Sequence, residues 1–165
     1  MLEKRCHSGI LFSMTYLQKL AADIAQEFSK IYGREPHWIV AAPGRVNVIG
    51  EHTDYNDGFV LPTAIDRYAV MAADMAADGK NTIQIRDISG VEPALIDLSV
   101  PLKPGKPKWS NYPRGVIAGC LERNLNPGSL DVLLHSTVPL GSGLSSSASL
   151  EVCTATLIEA VADEN

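Results

Sequence analysis

Apolar side chains recur at helical spacing near the start of the chain. From Thr15 onward they stand three or four residues apart, at Leu17, Leu20, Ile24, Phe28 and Ile31. This period places them along one face of an α-helix. Gly33 follows at a position where a helix C-terminus favours a left-handed residue. The pattern therefore predicts an amphipathic helix that opens the domain just after Met14 and ends near Gly33.

Shorter apolar runs separated by turn residues follow this helix and predict a series of β-strands. The expected strands cover residues 38–42, 46–49, 59–61, 68–72, 82–86, 95–98 and 130–138. Residues 101–109 hold three prolines and a glycine, which predicts a loop. Asn111 and Pro113 then suit the N-cap and the first turn of a helix that runs to about Arg123.

Residues 138–152, VPLGSGLSSSASLEV, combine a glycine loop with a helix start. After the predicted strand, Gly141 and Gly143 precede three serines, and the apolar residues Leu150, Cys153, Leu157, Ile158 and Val161 then indicate a helix. Unpaired N–H groups and the positive end of the helix dipole favour anions at such a start. Serine hydroxyls there can bind phosphate oxygens or Mg²⁺. The pattern predicts a phosphate site, although a flexible linker is the alternative.

Two common nucleotide motifs do not fit residues 138–152. A Walker A loop requires a lysine, and the chain has none after Lys108. The dinucleotide pattern G-x-G-x-x-G fails because Ser146 stands where the third glycine belongs. The segment therefore belongs to another class of phosphate loop.

Residues 42–62, APGRVNVIGEHTDYNDGFVLP, carry the densest polar chemistry of the chain. Between apolar flanks, eleven positions hold Arg45, Glu51, His52, Asp54 and Tyr55. The glycines of this segment let the backbone approach a ligand closely. Carboxylates and an imidazole can accept or orient several hydrogen bonds at once, which suits a sugar. The segment predicts a pocket for a hydroxyl-rich small molecule.

Composition narrows the possible partners. The 165 residues suffice for about one domain, and the net charge of -5 argues against a nucleic-acid partner. No stretch approaches the roughly 20 apolar residues that span a bilayer, so no membrane segment is expected. Cys6, Cys120 and Cys153 are widely spaced, without a C-x-x-C pair, which predicts reduced thiols of a cytoplasmic protein rather than disulfides or zinc ligands.

Segments 42–62 and 138–152 together resemble the motifs of the galactokinase family within the GHMP kinase superfamily. The segment KWSNYPRGV, with Trp109, resembles the adenine-side loop that the family carries between these motifs. The resemblance runs from about residue 14 to the end of the chain. It implies an α+β fold, in which a mixed β-sheet covered by helices forms an incomplete N-terminal domain of the GHMP kinase fold. Residues 1–13 are expected to be a non-native or disordered leader.

The resemblance also implies roles for individual residues. Arg45 corresponds to an arginine that stabilises the transition state of phosphoryl transfer. The implied sugar-binding residues are Glu51, His52, Thr53 and Asp54. The implied ATP-binding residues are Trp109, Gly141, Ser142, Gly143, Leu144, Ser145, Ser146 and Ser147. Ser147 is also the implied Mg²⁺ ligand, so that ATP and Mg²⁺ are the expected cofactors.

The implied activity is the ATP-dependent phosphorylation of α-D-galactose at its anomeric hydroxyl, which gives galactose 1-phosphate. The family's catalytic aspartate and a Mg²⁺-binding glutamate lie beyond the second motif, outside this chain. We therefore expect a fragment whose activity alone is uncertain, and no protein partner is implied. Two alternatives stay open: a non-catalytic sensor that binds galactose and ATP, and a kinase for N-acetylgalactosamine.

Overall fold

The computed structural model describes residues 15–50, 52–53, 56–77 and 79–163. Within these ranges, three α-helices pack on one five-stranded sheet. In chain order, the elements are α1 (Tyr16–Tyr32), β1 (Trp38–Ile49), β2 (Leu61–Met75), β3 (Thr82–Asp87), β4 (Ala94–Asp97), α2 (Asn111–Leu121), β5 (Leu130–Ser136) and α3 (Ser146–Ala162). A short 3₁₀ turn, Lys108–Ser110, leads into α2. The leader predicted for residues 1–13 lies outside the described residues.

The sheet is mixed, and its strand order is β1-β2-β5-β3-β4. Strands β1, β2 and β5 pair antiparallel, as do β3 and β4, whereas β3 and β5 run parallel. This arrangement confirms the predicted α+β class with a mixed sheet and covering helices. None of the helices in the described ranges has the length and apolar character needed to cross a membrane.

Residues 69–73 of β2, an inner strand of the sheet, are buried on both faces. Val70 and Ala72 belong to a core cluster with α1, to which β5 adds Leu133. Met71, between them, belongs to a second cluster with α2 and α3 on the opposite face. Successive strand residues point to opposite faces, so this uninterrupted apolar run serves two cores at once. The sheet is therefore sandwiched, with α1 on one side and α2 and α3 on the other.

Helix α1 follows the predicted pattern except at its last turn. Its buried residues are Leu20, Ile24 and Phe28, and Gly33 adopts a left-handed conformation with φ of 71°. Ile31, which the pattern placed on the apolar face, is 46% exposed. Tyr32, four residues after Phe28, packs against the core instead. The side chain at 32 continues the buried stripe, so the prediction for Ile31 was wrong.

Several predicted boundaries differ from the structure. The strands expected at 38–42 and 46–49 are one strand, β1, with an irregularity in its pairing between Pro43 and Arg45. The strands expected at 59–61 and 68–72 merge into β2, and Phe59 lies outside it, 99% exposed. The helix N-cap is Ser110 rather than Asn111, because the 3₁₀ turn continues directly into α2.

One ion-pair network ties the end of α1 to the sheet. Asp74 of β2 and Asp131 of β5 are direct cross-strand partners. Like charges in such a position repel each other. The guanidinium group of Arg34 lies between them, with Nε 2.6 Å from Asp74 and Nη2 2.7 Å from Asp131. These hydrogen bonds, the one to Asp131 foremost, raise the pKa of Arg34. Arg34 thus turns a repulsive pair into a bridge between the helix and two strands.

Candidate active site

The irregularity in β1 brings the two conspicuous segments of the sequence into contact. The backbone N–H of Arg45 donates a hydrogen bond of 3.1 Å to the carbonyl oxygen of Leu144. Gly44 allows this approach, because a Cβ at its position would lie 2.9 Å from that same oxygen. Real Cβ atoms are not found so close without displacement of a neighbour. A glycine in the strand therefore lets β1 lie directly against the loop before α3.

A cavity of about 360 Å³ lies beside this contact. Its walls come from the irregular part of β1, from the opposing part of β2 and from the start of α3. The lining residues are Pro43, Gly44, Arg45, Pro62, Thr63, Ala64, Ser145, Ala148, Ser149 and Val152. Arg45 is the charged member of this set. The cavity thus combines one cation with the N-terminal end of a helix.

The loop before α3 has a left-handed backbone at every second residue. The φ angles are 68° at Gly141, 74° at Gly143 and 58° at Ser145. Glycine adopts this region without strain, whereas for serine it costs roughly 1–2 kcal/mol. Strained residues of this kind cluster at ligand sites. Ser145 is therefore held in an unfavourable conformation at the N-cap of α3.

The first turn of α3 presents backbone donors to the loop. Its first helical hydrogen bond runs from the N–H of Ser149 to the carbonyl oxygen of Ser145, at 3.0 Å. The N–H groups of Ser146, Ser147 and Ala148 precede this bond and have no acceptor within the helical ladder. Together with the helix dipole, these donors favour an anion at the mouth of the cavity. This geometry fits the predicted phosphate site.

The serine side chains around the start of α3 differ in their hydrogen bonds and in their positions relative to the cavity. Ser142 donates to the carbonyl oxygen of Pro139 at 2.8 Å, and Ser149 donates to that of Ser146 at 2.9 Å. Ser147 is half-buried in the first turn of α3. It lines neither the cavity beside Arg45 nor a smaller cavity, of about 180 Å³, that Trp109 lines. Among the described residues, no group of three or more His, Cys, Asp or Glu side chains could hold a metal ion. A role for Ser147 as a Mg²⁺ ligand stays a prediction.

Trp109 reaches the other side of the start of α3. It is half-buried, and its indole N–H donates to the carbonyl oxygen of Glu92 at 3.3 Å. It lines a second cavity, of about 180 Å³, together with Leu140, Ser146 and Leu150. Trp109 also packs against the core cluster of α2 and α3. The side chain therefore serves packing and lines a cavity next to the start of α3, and its contact with adenine stays a prediction.

Of the four predicted sugar-binding residues, His52 and Thr53 lie in the turn between β1 and β2. Glu51 and Asp54 lie outside the described residues. His52 and Thr53 are exposed in the turn after β1 and do not line the cavity beside Arg45. The hydroxyl of Thr53 is 2.8 Å from the carbonyl oxygen of Phe59 and 3.0 Å from that of Gly50, so it donates its proton within the turn. Contact between these side chains and a sugar stays a prediction.

Cys153 behaves as a core residue of α3 rather than as a reactive group. Its thiol donates to the carbonyl oxygen of Val40 in β1 at 3.7 Å, and the side chain is fully buried. Burial raises the pKa of Cys153 to about 12. Because the thiolate is the nucleophile, this thiol is unreactive near neutral pH. Its function is to pack α3 against β1 behind the cavity.

Comparison with known proteins gives matches to galactokinases. Residues 26–75 match the model of the galactokinase galactose-binding signature, and residues 111–165 match that of the GHMP kinases N-terminal domain. A galactokinase of Streptomyces coelicolor is 46% identical over 138 residues, which are 82% of this chain and 35% of that relative. The chain carries the galactose-binding signature of galactokinases.

The similarity to galactokinases extends to the three-dimensional structure. The crystal structure of Lactococcus lactis galactokinase complexed with galactose matches with a TM-score of 0.74 at 28% identity, over 87% of this chain and 38% of that chain. The mevalonate kinase of Methanococcus jannaschii matches with a TM-score of 0.68 at 20% identity, over 80% of this chain and 42% of its own, which shows a shared fold alone. The chain spans little more than a third of the length of the galactokinases that it matches.

Sequence reasoning found the galactokinase motifs but missed parts of the site between them. It did not assign Pro62, Thr63 and Ala64 to a cavity wall. In the structure, Ala64 pairs directly with Arg45 across the two strands. It also missed that Gly44 sets the distance between β1 and the loop before α3. A glycine next to a proline inside an apolar run was the available signal, because this combination marks a strand irregularity or a close backbone approach.

Proposed function

We propose that this chain forms the part of a galactokinase that binds ATP and D-galactose, and that the intact protein phosphorylates α-D-galactose at its anomeric hydroxyl. One observation carries the proposal. Arg45, from the galactose-binding signature, is hydrogen-bonded to Leu144 of the glycine-serine loop and shares a cavity with the start of α3. Two segments about a hundred residues apart in sequence thus meet at one cleft, as phosphoryl transfer between two ligands requires.

The start of α3 is the phosphate side of the proposed site. The N–H groups of Ser146, Ser147 and Ala148 would donate to phosphate oxygens, and the helix dipole would favour their negative charge. The loop from Gly141 to Ser145 carries no bulky side chain at its glycines, so a triphosphate could lie close to the backbone. Trp109 would border the adenine end of the same nucleotide.

Arg45 is the proposed stabiliser of the transition state. In the reaction, the anomeric oxygen of galactose forms a bond to the γ-phosphorus while the bond from that phosphorus to the β–γ bridging oxygen breaks, and ADP leaves. Negative charge spreads over the equatorial oxygens of the transferred group. A cation fixed at the edge of the cavity offsets that charge without reorganisation during the reaction.

The proton released by the sugar hydroxyl requires a base. No aspartate or glutamate is among the described residues that line the cavity beside Arg45. The family resemblance assigns the base to an aspartate beyond the second motif, and we retain that assignment for the intact protein. Glu51, His52, Thr53 and Asp54 are proposed to bind and orient galactose rather than to accept this proton.

Mg²⁺ is proposed as the cofactor that accompanies ATP. When bound, it would neutralise charge on the β- and γ-phosphates. Mg²⁺ usually keeps several water ligands and binds few protein oxygens beside the phosphates. The hydroxyl of Ser147, in the first turn of α3, fits that limited requirement, and Ser147 is the residue that we propose to hold Mg²⁺.

The cellular location is also a proposal. The thiol of Cys153 is buried and forms no disulfide, which favours a reducing compartment, and we propose the cytoplasm.

A coupled assay of ADP release by the intact protein tests the proposed function. We expect galactose to support turnover and N-acetylgalactosamine to support much less. Arg45→Met is expected to lower kcat by roughly 10²- to 10³-fold with little change in galactose affinity. The matched control is Arg67→Met on β2, because Arg67 does not line the cavity. Binding of galactose without any turnover would instead indicate a sensor, and wild-type turnover of Arg45→Met would disprove the role of Arg45.

A further inference from the structure

The turn that carries Trp109 has few backbone restraints of its own. The preceding loop contains Pro101, Pro104 and Pro107, none of which has an N–H group to donate. Within the described residues, this loop belongs to no strand, and only the 3₁₀ turn Lys108–Ser110 gives it regular structure. Beyond the backbone hydrogen bond from Ser110 to Pro107 and the indole bond to Glu92, side chains therefore fix the position of Trp109 at the cavity beside Ser146.

Arg114, in the first turn of α2, supplies the central restraint. Its Nη2 donates to the carbonyl oxygen of Leu95 in β4 at 2.7 Å, and its Nε donates to the hydroxyl of Ser110 at 3.1 Å. The loop also packs on the guanidinium plane, since a Cβ at Gly105 would lie 3.5 Å from its Cζ. One side chain thus connects the sheet, the helix and both ends of the turn.

Ser110 and Asn111 complete the connection. Ser110 is fully buried, and its hydroxyl donates to the carbonyl oxygen of Pro107 at 2.8 Å while it accepts from Arg114. This engagement explains why Ser110 makes no capping hydrogen bond, although it occupies the N-cap of α2. The side-chain oxygen of Asn111 accepts from the N–H of Gly105 at 2.8 Å. Ser110 is therefore tied to Arg114 directly, and Pro107 is tied to it through the hydroxyl of Ser110.

We propose that Arg114 is a positioning residue for the nucleotide side of the site: it holds the Trp109 turn against the start of α3. This inference rests on the proposed function, because it assigns the cavity shared by Trp109, Ser146 and Leu150 to the nucleotide. Arg114 does not line that cavity. It acts on the nucleotide through Trp109, and it binds β4, at the opposite edge of the sheet from β1. Its loss should therefore separate the two substrates.

The first measurement tests the position of Trp109 without any ligand. In a Trp38→Phe background of the 165-residue chain, Trp109 is the remaining tryptophan, so its emission and its quenching by acrylamide report on this side chain alone. Arg114→Met should increase quenching by about twofold and shift the emission to longer wavelength. Arg123→Met is the matched control, since Arg123 also donates to a backbone carbonyl near α2 but does not contact the turn. Unchanged fluorescence of Arg114→Met would overturn the inference.

The second measurement tests the effect on the two substrates of the intact protein. Arg114→Met is expected to raise the KM for ATP by about tenfold and to leave the KM for galactose within twofold of wild type. Asn111→Ala, which removes a weaker restraint on the same loop, should act in the same direction by a few-fold. Equal losses for ATP and galactose, or no change for ATP, would overturn the inference.

The two measurements separate this inference from the proposed function. If the wild-type protein neither binds ATP nor turns over galactose, the proposed function fails. Altered fluorescence of Arg114→Met would then still support a positioning role for Arg114, but its assignment to a nucleotide would be lost. Arg114→Lys adds a further check, because a lysine retains the charge but not the pair of donors. Wild-type fluorescence and a wild-type KM for ATP in Arg114→Lys would contradict a role that depends on two directed hydrogen bonds.

Discussion

Gly44→Ala should damage the candidate site by forcing β1 away from the loop before α3. The added Cβ would lie 2.9 Å from the carbonyl oxygen of Leu144 and 3.1 Å from methyl groups of Ile65 and Val138. An ordinary contact begins near 3.4 Å, so relief against the oxygen requires a movement of about 0.5 Å. Overpacking of this kind costs about 1–3 kcal/mol of stability. A misplacement of about 1 Å can reduce turnover roughly 100-fold. We therefore expect kcat to fall about tenfold.

The comparison with Gly115→Ala makes this prediction specific. A Cβ at Gly115, on α2, would meet no atom within 4 Å. The same substitution there should stabilise the helix by up to about 1 kcal/mol and leave turnover unchanged. Steady-state turnover with galactose and ATP, together with thermal unfolding, measures both effects in the intact protein. Wild-type turnover of Gly44→Ala would refute the reasoning, as would equal damage from both substitutions.

Three further predictions concern the supporting structure. Arg34→Met should lower the free energy of unfolding by about 2 kcal/mol in urea titrations, because it leaves two opposed carboxylates without their bridge; adding Asp131→Asn should recover part of this loss, and a further loss would contradict the proposed repulsion. Thr53→Val should reduce galactose affinity about tenfold and speed amide exchange in its turn. Thr53→Ser should keep the wild-type affinity and the wild-type exchange rate, since only the hydroxyl is required. With a pKa of about 12, Cys153 is thiolate in only about one molecule in 10⁴ at pH 8, so alkylation followed by mass spectrometry should label Cys120 well before Cys153 in the folded protein; comparable labelling rates would contradict its burial.

Local patterns predicted the helices better than the strands. The apolar period of α1 and the glycine after it are encoded within twenty residues, so a single segment of sequence sufficed. Strand β1 was divided in the prediction because Pro43 and Gly44 are typical of a break. In the structure, pairing with β2 carries the strand through these residues as an irregularity. Such continuity depends on a partner strand elsewhere in the sequence, which periodicity cannot reveal.

In the candidate site, too, local features were predictable from the sequence and contacts between distant segments were not. The glycines and serines before α3 indicated a phosphate site because a helix dipole and unpaired N–H groups are local properties. The hydrogen bond between Arg45 and Leu144 was not predictable from either segment, because it depends on how α3 packs against β1. The hydrogen bond from Arg114 of α2 to Leu95 of β4 was likewise hidden, since the two residues belong to different elements. Sequence motifs supplied the chemistry, and tertiary packing decided which groups meet.

The irregularity of β1 also limits the pairing of a further strand at this edge of the described sheet. β1 is a twelve-residue strand at one border of the sheet, where a strand from another molecule could add by hydrogen bonding. Pro43 has no N–H to offer such a strand, and the N–H of Arg45 is already taken by Leu144. A foreign strand would therefore find the middle of this border without two donors in close succession. The same irregularity that places Arg45 at the cleft therefore disfavours the addition of a strand from another molecule to this edge of the sheet.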